Sequence, residues 1–178
     1  MRMTISGPPG SGKTTVCKKL SEKLGLKAVV FGEFFRKLAA ERDLSLAEFG
    51  ALAEKDPGID RFIDSSILEI AKANPDIILE SRLCAYMLSR AGIPALKIYL
   101  SASPEVRMRR VGIREGETFE DACRNTIERQ ASEARRYKMY YDIDIDDRSV
   151  YDLIIETDDL TPEEVLDRIL KEIEACTC

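Results

Sequence analysis

The chain has 178 residues, 44% of them apolar and 33% charged, with a net charge of −5 and no histidine. That is room for one compact soluble domain with its own core. It excludes imidazole acid–base chemistry, contains no apolar run near the roughly 18 residues of a membrane span, and argues against a nucleic acid polymer as partner, which a basic chain would suit better.

The five cysteines are Cys17, Cys84, Cys123, Cys176 and Cys178, with no CxxC pair. A zinc site is not expected. Their odd number and wide spacing suit reduced thiols in a cytoplasmic protein, acting as small apolar residues and, at the end, a frayed tail. The N-terminal run reads as a strand at once, so no signal or transit segment is expected.

In chain order, "MRMTIS" reads as a strand that breaks at Gly7. "KTTVCKKLSEKL" follows as an amphipathic helix, with Val16, Leu20 and Leu24 four apart and Gly25 as its stop. "KAVVF" (27–31) is a short apolar strand. "GEFFRKLAAERDL" and "SLAEFGALAEK" read as two helices. Asp56-Pro57 marks a third, with Asp as N-cap and Pro at the first position, running to about Ala73.

"DIILE" (76–80) and "ALKIYL" (95–100) are the next strands. Ser103-Pro104 starts a helix to about 114, and Thr118 caps another to 141. The apolar stripe of the latter is expected at Phe119, Ala122, Cys123, Thr126, Ile127, Ala131 and Ala134. "YDLIIET" (151–157) is the last strand, and Thr161 with Glu164 makes a capping box for a closing helix. Five short strands alternating with helices predict an α/β fold, a parallel sheet covered on both faces.

The stretch Gly7, Pro8, Pro9, Gly10, Ser11, Gly12, Lys13, Thr14, Thr15 holds the complete GxxxxGK[ST] pattern between a strand and a helix. Its glycines let successive backbone N–H groups turn inward around an anion, and the helix N-terminus adds its positive end. Lys13 can reach the β- and γ-phosphates of a nucleoside triphosphate. The Thr14 hydroxyl is a hard oxygen ligand for Mg²⁺. A tight turn without a ligand would explain one or two of the glycines, but not Lys and Thr in these places.

The remaining parts point to phosphoryl transfer to a small acceptor. The DxxG and NKxD patterns of a signalling GTPase are absent, and "IILE" ends in the single Glu80. Between 107 and 136 there are eight arginines. Arg107, Arg110 and Arg114 share one helix face at i, i+3 and i+7, and Arg129, Glu133 and Arg136 share another. "GIREGET" between the two helices reads as a glycine-hinged turn carrying Arg114. Together they read as a lid whose cations neutralise a travelling phosphoryl group. Arg109, Arg124 and Arg135 are expected to be structural. Arg36 and Arg82 follow strands, at the carboxyl edge where an open α/β sheet binds ligands.

These stretches give the chain a resemblance to the nucleoside monophosphate kinases and, more closely, to the archaeal-type cytidylate kinases. The resemblance is carried by "ISGPPGSGKTT", "FGEFFRKLA", "LAEKDPGID", "LESRL", "VRMRRVGIREG" and "RRYKMYYDIDI", in order along nearly the whole chain. It implies transfer from ATP to CMP or dCMP, Mg²⁺ as cofactor, and a monomer. It implies a three-layer P-loop kinase fold with strand order 2-3-1-4-5. It further implies a monophosphate-binding insert at 32–74 and a lid near 108–118 within one domain spanning 1–178.

By motif position, Arg36 and Arg82 would hold the acceptor phosphate. Glu133 and Arg136 would face the acceptor, and Lys13, Arg110 and Arg114 would surround the phosphoryl group. Two departures bear on the acceptor: Glu33 and Ser81 stand where the family often has Asp and Gly. Among the acidic residues of the insert, Glu33, Asp60 or Asp64 could accept from a cytosine amino group. AMP, UMP or shikimate as acceptor, or a P-loop assembly factor, remain the alternative readings.

Overall fold

The computed structural model of the protein describes the backbone of residues 1–177 and the side chains of residues 1–175. The tail reading for Cys176 and Cys178 therefore lies outside the described side chains. Cys17 and Cys84 are buried and free, and Cys123 is half-buried and free.

The chain runs β1 (Arg2–Ser6), α1 (Lys13–Leu24), β2 (Lys27–Val30), α2 (Phe31–Ala40), α3 (Leu46–Ala53) and α4 (Pro57–Ala73). It continues β3 (Ile77–Glu80), α5 (Cys84–Arg90), β4 (Leu96–Ser101), α6 (Pro104–Glu115), α7 (Phe119–Tyr141), β5 (Leu153–Glu156) and α8 (Pro162–Thr177). All strand pairings are parallel. The order is β2-β3-β1-β4-β5, as the resemblance implied.

Side-chain alternation along the strands feeds two cores. Ile78 packs with Met3, Ile5, Val16, Leu20, Val165 and Ile169, so α1 and α8 cover one face. Ile77 and Leu79 turn the other way, onto Ile67, Leu83, Leu88 and Ile143 beneath α4 and α5. A third, smaller cluster of Ala39, Phe49, Ala53 and Ile59 joins α2, α3 and α4. The segment between β2 and β3 thus has a core of its own.

Local chemistry sets the helix ends. Gly25 takes a left-handed conformation at the end of α1. The Ser45 hydroxyl accepts from the Glu48 N–H while Glu48 reaches back to the Ser45 N–H, a complete capping box for α3. The Asp56 carboxylate accepts from the Gly58 N–H ahead of α4. Thr118 accepts from the Asp121 N–H, and Thr161 pairs with Glu164.

Four expectations need correction. The strand expected at 27–31 stops at Val30, and Phe31 already begins α2. Helix α5 was not expected: its N-cap, Leu83, offers no side-chain acceptor. Arg114 lies in the last turn of α6 rather than in the turn itself, which is formed by left-handed Gly116. On α7, Phe119 and Ile127 are exposed, while Ser132, Glu133 and Arg136 are buried. Its inward side is therefore largely polar, because it faces a cavity and not a core.

Candidate active site

The phosphate loop closes over the carboxyl ends of β1 and β4. Gly7 has φ +146°, and a Cβ there would lie 2.2 Å from the Leu100 carbonyl oxygen. Gly10 has φ +82°, and its Cβ would meet the Arg107 carbonyl oxygen at 2.5 Å. Only glycine fits either place.

Three successive loop carbonyls are each taken by a cation. Lys13 Nζ donates to Pro8 O at 2.9 Å. Arg107 Nη1 donates to Pro9 O at 3.3 Å and to Gln130 Oε1 at 2.8 Å. Arg110 donates to Gly10 O at 3.3 Å and to Thr157 O at 2.7 Å. The Ser11 N–H also bonds to Pro8 O, at 3.3 Å, and the cations at the carbonyls leave the N–H groups that follow it at the start of α1 for an anion.

Two chambers meet at the loop. Ser11, Gly12, Thr15, Arg110, Thr157 and Leu160 line one, with Gly10 and Val16. Pro9, Gly32, Ser81, Arg82, Glu133 and Arg136 line the other, with Asp60 and Asp64 from α4. Lys13, Thr14, Arg36 and Arg114 line both. The first chamber contains the phosphate loop and the start of α1, and the second is lined by acidic and basic side chains from α2, α4 and α7.

The electrostatics at the junction are those of an anion site. Burial lowers the Lys13 ammonium to about 8, against the attraction of Glu80, while Arg82 and Arg129 lower it further. Burial, then repulsion from Arg114 and Arg129, also lowers Arg36. These cations crowd one another, and a bound phosphate would relieve them. Glu133 is buried, which alone would raise its carboxyl. Arg82, Arg129 and Arg136 together outweigh that and hold it below the usual range.

Glu133 Oε2 lies 3.1 Å from Arg82 Nη1, and Oε1 lies 3.0 Å from Arg129 Nε. The first contact is an ion pair without hydrogen-bond alignment, so both of its buried atoms retain bonding capacity. Arg136 is held through two of its nitrogens: Nε donates to Asp60 Oδ2 at 2.7 Å and Nη1 to Ser132 Oγ at 2.6 Å. Its guanidinium also stacks over the Phe35 and Tyr137 rings.

The structure therefore gathers Lys13, Thr14, Arg36, Arg82, Arg114, Glu133 and Arg136 around one cavity. It leaves Glu33 out. The Glu33 carboxylate is exposed and faces Lys18 at 3.8 Å. Within α2, Gly32 and Arg36, four apart, share the face that lines the chamber, and Glu33 lies off that face. Arg107 lies behind the loop as a brace. Arg109, Arg124 and Arg135 make surface ion pairs with Glu105, Asp121 and Glu54.

From the sequence, Glu80 is only the acid that ends a strand and Arg129 only one cation of the lid; neither is assigned a place in the site. Glu80 closes β3 opposite Ile5, and the Thr14 hydroxyl donates to its Oε2 at 2.8 Å. A lone carboxylate ending an apolar strand beside the loop strand was the available signal. A hydroxyl and a carboxylate in contact, next to a phosphate cradle, fit Mg²⁺, which takes one or two protein oxygens and completes its shell with phosphate and water. Among the described residues no group of three or more acidic or thiol ligands gathers elsewhere, and no helix is long and apolar enough to cross a membrane.

Residues 2–159 match the cytidylate kinase-like family. The chain is 47% identical over 173 residues to the cytidylate kinase of Methanosarcina barkeri, covering 96% of this chain and 94% of that protein. It is 50% identical to that of Methanocorpusculum labreanum, covering 93% and 92%. Among solved structures, an uncharacterised protein from Eubacterium ventriosum superposes with TM-score 0.71 at 19% identity, over 98% of both chains. Shikimate kinase from Bacteroides thetaiotaomicron superposes with TM-score 0.62 at 17% identity, again over 98% of both. These two likenesses are of fold alone.

Proposed function

This chain belongs to the cytidylate kinase-like family, and from that premise we propose that it transfers the γ-phosphoryl group of ATP to CMP, and also to dCMP. An oxygen of the acceptor's phosphate attacks Pγ. The bond from Pγ to the β,γ-bridging oxygen breaks, and ADP leaves with CDP or dCDP. The acceptor oxygen is already anionic, so no general base is needed. The work is positioning and charge stabilisation.

The observation that carries this reading is the set of four residues common to both chambers: Lys13, Thr14, Arg36 and Arg114. A group passing from one nucleotide to the other must cross the space they surround. Lys13 leaves Pro8 O to follow the β- and γ-phosphates. Arg36 and Arg82 grip the acceptor phosphate. Arg114, at the end of α6, meets the phosphoryl group as it moves, and Arg110 steadies the loop on the ATP side. Glu133 orients Arg82 and Arg129, and Arg136 fixes the α4 wall through Asp60.

Bound through Thr14 and Glu80, Mg²⁺ would supply charge neutralisation across the β- and γ-phosphates. The insert 32–74 closes the acceptor side, and the helix ends around 108–118 form a short lid that excludes water. One chain lines both chambers, which supports a monomer as the working unit. The free thiols support a reducing cytoplasm. The two cytidylate kinases named above do not favour shikimate, AMP or an assembly role, and the shikimate kinase is similar in fold alone.

The test is ADP formation from Mg-ATP with and without an added monophosphate. CMP and dCMP should each accelerate ADP release by at least about 100-fold, with CDP or dCDP as stoichiometric product. Equal rates with and without CMP would make the protein an ATPase of another kind.

A further inference from the structure

One wall of the acceptor chamber is a single face of α4, with Asp60, Ile63 and Asp64 at i, i+3 and i+4. Its two carboxylates are held differently. Asp60 is committed to Arg136. Asp64 is 6% exposed and is bonded instead by the Tyr141 hydroxyl, which donates to Oδ2 at 2.8 Å. That leaves Oδ1 for a ligand.

We propose that Asp64 and Tyr141 distinguish cytosine from uracil, with Asp64 acting as a neutral carboxyl whose Oδ1–H donates to cytosine N3 while Oδ2 accepts from the N4 amino group. The assignment rests on the reading of this chamber as the CMP site. Tyr141 is the orienting residue. Its O–H already donates to Oδ2, which makes Oδ2 the carbonyl oxygen and puts the proton on Oδ1. Uracil in the same pose presents N3–H to Oδ1–H and O4 to Oδ2, donor against donor and acceptor against acceptor. Adenine presents the same acceptor and donor pair as cytosine, at N1 and N6, so these residues sort C from U and not pyrimidine from purine.

The surroundings favour the neutral form. Burial pushes the Asp64 carboxyl up to about 7 against the Tyr141 hydrogen bond, with the Asp60 charge adding to the rise and Arg136 opposing it. The groups facing this corner are Asp60 and Arg61 on α4, Arg136, Tyr137 and Tyr141 on α7, and Cys84 on α5. Once ionised, Asp64 offers two acceptors. It then accepts one hydrogen bond from either base, N4–H of cytosine or N3–H of uracil, and faces a lone pair of that same base at N3 or O4, so its preference vanishes.

The experiment measures kcat/KM for CMP and for UMP between pH 6 and 8.5 and follows their ratio. Titration of Lys13 or of the nucleotide phosphates affects both acceptors and cancels in the ratio. The wild-type ratio should be about 10- to 100-fold at pH 6 and fall toward unity by pH 8.5. Asp64→Asn keeps an N–H donor and a C=O acceptor in the same places. Its ratio should stay high and become flat with pH. Asp64→Ala should abolish the preference at every pH. Tyr141→Phe frees the proton to move between oxygens and should lower the ratio at pH 6 several-fold.

A wild-type ratio that does not change with pH overturns the assignment, and this readout needs no variant to fold. A folded Asp64→Asn that loses the preference as fully as Asp64→Ala overturns it too. If neither CMP nor UMP drives ADP formation by the wild type, it is the acceptor reading itself that falls.

Discussion

Burial lowers the Lys13 ammonium from an ordinary 10.5 to about 8, so the ligand-free protein holds a charge that water would solvate better. Below about pH 8 that cost is fully present. It fades as pH rises toward 10.5, where the unfolded chain still binds the proton that the folded chain has lost. Lys13→Met keeps the apolar stem and removes the charge. At pH 7 it should raise the melting temperature of the ligand-free protein by about 2–4 °C, as about 1 kcal/mol does in a chain of this size. The same change should lower phosphoryl transfer by at least about 100-fold. A thermal melt and the coupled ADP assay decide it. A lower melting temperature would make Lys13 a structural residue, and near-normal turnover would remove it from the site.

Arg36 and Arg114 both border the two chambers, yet they should fail in different ways. On the proposed reading Arg36 grips a group present in ground and transition states alike, so Arg36→Ala should raise KM for CMP about tenfold with kcat little changed. Arg114 is half-exposed at a helix end and paired only with its neighbour Glu115. Arg114→Ala should lower kcat about 100-fold with a smaller change in KM. Steady-state kinetics would expose a reversed pattern as a misplacement of the two.

Residues such as Lys13 and Thr14 were legible because their meaning lies in one contiguous stretch. Glu33 was placed by motif position alone, and on α2 its carboxylate faces outward, toward Lys18. Glu80 gains its role through Thr14, 66 residues away, and Arg129, although its pairing with Glu133 is an i,i+4 spacing, meets Lys13 and Arg36 only through packing that no local spacing records.

Among elements, the seam between the phosphate loop and α6 leaves no room for a side chain. Gly10 combines a left-handed φ with backbone of α6 at 2.5 Å from where its Cβ would be, whereas Gly12, at φ +91°, has open space beside it. Gly12→Ala should cost only the conformational strain, about 1–2 kcal/mol. Gly10→Ala must also push α6 off the loop and break the hydrogen bonds of Arg107 and Arg110. Urea unfolding should therefore show a clearly larger loss for Gly10→Ala. Equal losses would mean that the φ strain alone governs both sites.

Helices α3, α4, α7 and α8 could be read from sequence because Ser45, Asp56, Thr118 and Thr161 announce their starts. Helix α5 has no such signal. Its seven residues are too few to show a period, and four of them are buried, so a run of mixed apolar residues was all the sequence offered.

For the molecule as a whole, the alternation of strands and helices gave the layers, while the strand order came from the family resemblance. The two chambers follow from that order. β1 and β3 lie side by side, which brings the loop after one against Glu80, Ser81 and Arg82 after the other. No periodicity announces that meeting.

The same order has a consequence for synthesis. β1 is the middle strand, and its two neighbours are β3 and β4. About 70 residues separate Ser6 from Ile77, so at ordinary translation rates a nascent chain carries β1 for about 4–14 s before the first neighbouring strand exists. During that interval Met3 and Ile5, fully enclosed in the finished protein, are exposed to water, and their backbone groups have no ladder to join. Of the five strands, β1 waits longest for a neighbour, since β2 precedes β3 by fewer residues and β3, β4 and β5 each find a partner already made.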